Sequence, residues 1–188
     1  MSGAGHVQRS FGAATVTALL AGAAVAVALG VYGRVHTPTG RDIVSFGFGS
    51  LIQMKVWLAL AAGALALVQL VTALWMFGKL GSRIPRRIGL IHRSIGALAL
   101  LVSLPVAFHC LWSLGFQNYS TRVLVHSLLG CLVYGVFVTK VLGLNSKRTP
   151  SWLVPVAGGL LFTVLVAVVL TSAGWYLSQN GLPTSGGY

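Results

Sequence analysis

Five long apolar runs, separated by short polar stretches, organise the chain. They cover about Phe11–Val31, Met54–Phe77, Ile88–Leu114, Val123–Leu142 and Trp152–Leu177. Each approaches or exceeds the roughly 20 residues that a helix needs to cross a bilayer. Together they account for most of the chain. The pattern predicts an all-α integral membrane protein, a single polytopic bundle of five transmembrane helices spanning residues 1–188. No soluble catalytic domain fits in what remains.

The connections carry the punctuation. Between the first two runs lies the longest, about Tyr32–Gln53, where Pro38, Gly40, Gly47 and Gly49 argue against a long regular element. Phe46, Phe48 and Trp57 suit an aromatic belt at the interface, as do Trp75, Trp112, Trp152 and Trp175 near run ends. Pro85 is expected in the first turn of the third helix. Pro105 removes an amide donor and predicts a kink one turn before His109. Ser120 or Thr121 is the expected N-cap of the fourth helix. The fifth run has Pro155 near its start, and Gly158 and Gly159 are expected to allow close packing. The tail SQNGLPTSGGY is uncharged and predicted to be loosely ordered.

Composition agrees with the pattern. The chain is 56% hydrophobic and only 7% charged, against roughly a quarter charged in soluble domains. Arg9 precedes the first run as in a signal peptide. The run is longer than the roughly 7–15 residues of a signal core and no small-x-small site ends it, so it is expected to persist as the first helix.

Charge sets the orientation. On one side lie Arg9, Lys79, Arg83, Arg86, Arg87, Arg93, Lys140, Lys147 and Arg148. On the other lie Arg34, Arg41, Lys55 and Arg122. Nine against four predicts the N-terminus inside and the C-terminus outside, in a bacterial cytoplasmic membrane. The net charge of +12 suits anionic membrane lipids, an acidic partner or an anionic cofactor. Nucleic acid is a poor fit, because the basic residues flank helices on two opposite faces. Asp42 is the single acidic side chain, and it lies in the first outer loop. Spans without carboxylates argue against a cation-coupled transporter or proton pump. Cys110 and Cys131 both fall within spans, form no Cys-x-x-Cys motif, and read as small buried hydrophobes.

The histidines carry the candidate chemistry. His109 is about six residues before the end of the third run, roughly 9 Å deep, and His126 about four residues into the fourth, roughly 6–8 Å deep. On antiparallel neighbours joined by a short turn, the two imidazoles are expected at one level near the outer face. Two axial histidines of a haem need that arrangement. Arg122, one turn before His126, is suited to a propionate, because its fork pairs with a carboxylate. Phe108, Trp112, Phe116, Tyr119 and Tyr134 are available as porphyrin walls. HRSIGALAL at His92 and HSLLGCLVY at His126 share a His-x-x-x-Gly-x-Leu echo. Gly130, one turn from His126 on the same face, leaves room for a flat ligand. His92 is roughly 25 Å along the helix from His109 and has no partner histidine at the inner side. It reads as an interhelical hydrogen-bonding residue, with a third ligand as the alternative. His36 reads as a loop residue. Gln69 is expected to bond between helices, with a quinone contact as the alternative.

The segments LIHRSIGALALLVSLPVAFHCLW and TRVLVHSLLGCLVYGVFVTK resemble the helical-histidine pattern of cytochrome b561 and ferric-reductase-like membrane cytochromes. They are more similar still to a group, without assigned function, of small five-helix actinobacterial membrane proteins. The resemblance covers about Ile88–Lys140. It implies helices holding haem b through His109 and His126, with His92 as a third candidate. The two-haem families place four histidines in two layers, and this chain has no complete inner layer.

The expectation is therefore a membrane b-type cytochrome subunit with one haem near the outer face, an electron-transfer component rather than a self-contained enzyme. Its partner would be an extracytoplasmic redox protein or a respiratory-complex subunit, in a homo- or hetero-oligomer. The alternative is a haem-free structural or assembly subunit. A solute channel or transporter is a third class, disfavoured by the acid-free interior.

Overall fold

The computed structural model describes residues 3–41, 45–81 and 83–183, with side chains from residue 12 onward. Asp42, and the side chains of His6 and Arg9, lie outside the described residues. The helices are α1 (Gly3–Val35), α2 (Leu51–Met76), α3 (Ile88–Phe108), α4 (Thr121–Asn145), α5 (Leu153–Val169) and α6 (Trp175–Asn180). A π-helical segment, His109–Leu114, continues α3, and a second, Leu170–Gly174, joins α5 to α6. Among the described residues, five spans are long and apolar enough to cross a membrane: Gly12–Val35, Leu51–Met76, Ile88–Leu114, Thr121–Asn145 and Leu153–Asn180. The protein is a transmembrane helical bundle.

Capping explains where two spans begin. Ser50 is extended, and its Oγ accepts the Gln53 amide at 3.2 Å, so α2 starts before Met54. Ser120 does the same for α4, accepting the Val123 amide at 3.3 Å, which decides between the two candidate caps. Pro85 is not in the first turn of α3. Its carbonyl accepts the Ile88 amide at 3.0 Å, making a turn ahead of the helix. α3 runs through Pro105 and then widens into the π segment at His109. The tail holds its shape further than expected: α6 runs to Asn180 and Gln53 Nε2 donates to the Pro183 carbonyl at 3.4 Å. Residues 184–188 lie outside the described residues.

Small residues fix the closest helix crossing. A methyl group on Gly22 would run into the Thr139 hydroxyl, and one on Gly135 would stand 2.5 Å from the Gly22 carbonyl and 2.9 Å from Ala26 Cβ. Thr139 Oγ1 donates to the Ala18 carbonyl at 3.2 Å across this contact. Ala18, Gly22 and Ala26 on α1 thus meet Gly135 and Thr139 on α4 at four-residue spacing, the small-residue packing that brings membrane helices together. Gly158 and Gly159 do not do this. A methyl on Gly158 would meet only the end of Lys140, at 3.7 Å, and one on Gly159 would meet nothing within 4 Å.

The helices pack in the order α1, α4, α5, α2, α3. α2 and α3 are tied by Gln69, which donates to the His92 carbonyl, and by Thr72 Oγ1, 2.8 Å from His92 Nδ1. The expected direct packing of the third helix on the fourth is not found. α3 is held along α2 and α4 along α1 and α5, so the two stand apart although a short turn joins them. A cavity occupies the space between them.

Candidate functional site

The cavity measures about 340 Å³ and is bounded by α2, α3, α4, α5 and both π segments. That is within the lower range of small-molecule sites, roughly 300–1,000 Å³. It lies toward the end of the bundle where α2 and α4 begin. Its walls are mostly apolar, with a few polar groups converging: Lys55, Arg122, His126 and the Ser103–Tyr134 pair among them. Tyr134 bridges the gap, its hydroxyl 3.0 Å from Ser103 Oγ and donating to the Ser103 carbonyl at 3.2 Å. A second, almost wholly apolar cavity of about 440 Å³ lies between α1, α3 and α4. It shares Ala107, Leu111 and Tyr134 with the first, so the gap continues to the flank of the bundle.

His126 borders the main cavity. Its Nδ1 is 3.2 Å from Thr171 Oγ1. That hydroxyl already donates to the Ala167 carbonyl at 2.7 Å, so toward His126 it accepts. The proton therefore sits on Nδ1, and Nε2 carries a lone pair. The π segment puts Thr171 there, and Arg122 donates from Nη1 to the carbonyl of the same residue at 2.7 Å. Gly130, one turn deeper, also borders the cavity, and a methyl there would meet nothing within 4 Å. The space beside His126 is open, as a flat ligand requires.

His109 is 1% exposed. Its Nδ1 donates to the Pro105 carbonyl at 2.8 Å. A carbonyl only accepts, so His109 is the same tautomer as His126. Its Nε2 is buried without a hydrogen-bond partner, the one such side-chain atom among the described residues. Leaving a buried acceptor unmatched costs about 1–3 kcal/mol. The ring does not border the cavity. From α3 and its π extension the wall is formed by Ser103, Val106, Ala107, Cys110, Leu111 and Leu114. The structure thus matches the two tautomers but does not bring both rings onto one cavity wall.

The remaining candidates divide clearly. His92 is bonded to Thr72, and the space beside Gly96 that the sequence echo suggests is filled by Gln69, whose side-chain atoms lie 3.4 Å from a methyl built there. Its role is to join α2 and α3. His36 stacks on Tyr32 at 5.0 Å and donates from Nε2 to the Trp112 carbonyl at 3.1 Å, anchoring the loop after α1 over the π segment. Phe116, Tyr119 and Tyr134 line the cavity, whereas Phe108 and Trp112 stack on each other at 5.7 Å away from it. Cys110 and Cys131 are free thiols that both border it. Among the described residues no cluster of three or more His, Cys, Asp or Glu is placed to hold a metal ion by itself. Sequence reasoning missed Thr171 and the bridging role of Ser103. The only signal for Thr171 was a hydroxyl pair, Thr171–Ser172, late in an otherwise apolar run.

These features define a multi-pass helical membrane protein with a ligand-sized cavity between its third and fourth helices. The chain belongs to DUF6529, a family of unknown function, whose model matches residues 15–184. No curated protein matches it, and no solved structure does.

Proposed function

We propose that the protein is a membrane b-type cytochrome subunit that holds one haem b in the α3–α4 gap. The observation that carries this reading is the buried, unpartnered Nε2 of His109, in the π segment whose neighbouring residues Cys110 and Leu111 line the cavity that His126 borders from α4. Both imidazoles have Nδ1 tethered to a helix-borne oxygen and a lone pair on Nε2, the state in which histidine binds a metal. His126 is the ligand on the cavity side, and His109 the ligand from α3. Gly130 supplies clearance for the ring, and Arg122 a cation for a propionate. Haem bound in this way would exchange single electrons with a partner redox protein or respiratory subunit. By the distribution of basic residues, this end of the bundle faces outward from a bacterial cytoplasmic membrane.

One observation favours the competing reading of a haem-free structural or assembly subunit: His109 stands off the cavity wall. The absorption spectrum of protein purified from haem-replete cells separates the two. A Soret band with a sharp reduced α band of b type is expected. A colourless, folded preparation overturns the cytochrome reading.

A further inference from the structure

We infer that Lys140 is the cation of a binding site for a phosphate-bearing anion, at the end of the bundle opposite the α3–α4 cavity. The inference is independent of the haem reading.

Lys140 lies in α4, five residues before its end at Asn145. Five residues are about 7–8 Å of helix, so the side chain starts close to the boundary between hydrocarbon and headgroups. A lysine at that depth can run its stem outward to water. Lys140 does not. Its Cε and Nζ lie across α5, each 3.7 Å from a methyl built on Gly158. Gly158 is itself five residues past the start of α5 at Leu153, so the ammonium stays level with its own backbone. Its charge acts on His92 of α3, which places it toward the interior of the bundle. The residue is partly buried, and its ammonium makes no hydrogen bond or ion pair among the described residues.

The chain's own carboxylates cannot supply the counter-charge, because its covalent connections hold them at the other end. Asp42 is the only acidic side chain, and it follows the loop in which the Gly40 amide donates to the Ser113 carbonyl at 3.0 Å. The C-terminal carboxylate of Tyr188 is five residues beyond Pro183, whose carbonyl accepts from Gln53 at the start of α2. Five residues reach at most about 18 Å. Lys140 is 19 residues past Thr121, where α4 begins at that same end, or about 28 Å along the helix.

A charge held beside apolar walls is costly unless an opposite charge meets it, so the match for Lys140 is an anion from outside the chain. Phosphate suits it best. Lysine binds phosphate as a point charge, without the planar fork by which arginine selects carboxylates. The level is that of the phosphates of the adjoining leaflet. The connections at this end also carry six exposed basic side chains, Lys79, Arg83, Arg86, Arg87, Lys147 and Arg148, a field that concentrates anions there. Gly158 places no side chain over the ammonium on the α5 side. The same chemistry comes from two sources, the headgroup of an acidic phospholipid and free phosphate.

The test is thermal unfolding of the full chain in detergent with phosphatidylcholine, titrated with phosphatidylglycerol or with inorganic phosphate at constant ionic strength. A ligand of the folded state raises the midpoint. Wild type should show a saturable rise, and Lys140→Gln should need at least about tenfold more of the same anion, as the loss of one charged hydrogen bond implies. Lys140→Arg should keep the response, and so should Lys147→Gln, which removes an exposed charge at the same end. Lys140→Met replaces the glutamine variant if that one does not fold, as read by circular dichroism. A rise with phosphatidylglycerol alone assigns the site to lipid, and a rise with inorganic phosphate assigns it to the free anion. Equal losses in Lys140→Gln and Lys147→Gln mean diffuse surface charge and overturn the site. No response of wild type to either anion overturns it as well. Lys140→Gln unfolding above wild type in that case would point to a partner's carboxylate as the missing counter-charge.

Discussion

Tyr134 of α4 spans the gap to Ser103 of α3, its hydroxyl meeting the serine's Oγ at 3.0 Å and its carbonyl at 3.2 Å. It is the polar tie between two helices that otherwise stand apart, and it lies on the wall shared by both cavities. Interhelical hydrogen bonds of this kind are worth about 0.6 kcal/mol on average in membranes, up to about 1.7. Tyr134→Phe should therefore lower stability by an amount in that range, read from denaturant or thermal unfolding in detergent. Ser103→Ala should cost less, because the Ser103 carbonyl still accepts. A Ser103→Ala loss larger than that of Tyr134→Phe would contradict this arrangement.

The crossing of α1 on α4 makes a sharper prediction. Gly135→Ala places a methyl 2.5 Å from the Gly22 carbonyl and 2.9 Å from Ala26 Cβ, so the helices must separate. Overpacking of this kind costs about 1–3 kcal/mol. Gly159→Ala, on an open face of α5, should be neutral or slightly stabilising, since alanine is the better helix former. Equal effects of the two substitutions on unfolding would mean that the crossing is not as close as described.

The histidines should separate by spectrum. If the proposed cytochrome reading holds, His126→Ala and His109→Ala should each lower haem content or turn a low-spin spectrum high-spin, because each would remove one ligand. His92→Ala should leave the spectrum nearly intact and instead lower stability, since it loosens the α2–α3 contact through Thr72. Comparable membrane levels of the three variants are the control. A normal low-spin spectrum in His109→Ala would remove His109 from the ligand set and leave its unpartnered Nε2 unexplained.

Orientation is checked by position-specific labelling. Single cysteines in a Cys110→Ser/Cys131→Ser background, one at Ser146 and one at Ser178, should react from opposite sides of intact cells. The one at Ser178 should react with a membrane-impermeant maleimide from outside, because nine basic residues oppose four. Labelling of position 146 from outside would invert the topology.

The five spans were legible in the sequence because a bilayer imposes a length and an apolar composition on each helix independently of its neighbours. Ser120, one of two candidate caps, starts α4 for an equally local reason, bonding an amide three residues on, whereas Ser50 does the same for α2 although the apolar run was read as starting only at Met54. Gln69 could be assigned a bond to another helix because an amide within an apolar run needs a partner. The identity of that partner, the His92 carbonyl, was not legible. The equal tautomers of His109 and His126 also depended on contacts, one within a turn and one from Thr171, 45 positions along the chain.

Which helices touch was decided by tertiary structure alone. Short connections suggest that neighbours in sequence are neighbours in space. Here α4 packs on α1, where glycines and alanines let those two backbones approach, while α3 packs on α2. The sequence determined that His109 and His126 lie near one end of consecutive spans. It could not determine that a cavity separates those spans, or that only His126 looks into it. Apolar runs report their contact with lipid, residue by residue, whereas a gap between helices depends on how several side-chain surfaces fail to meet.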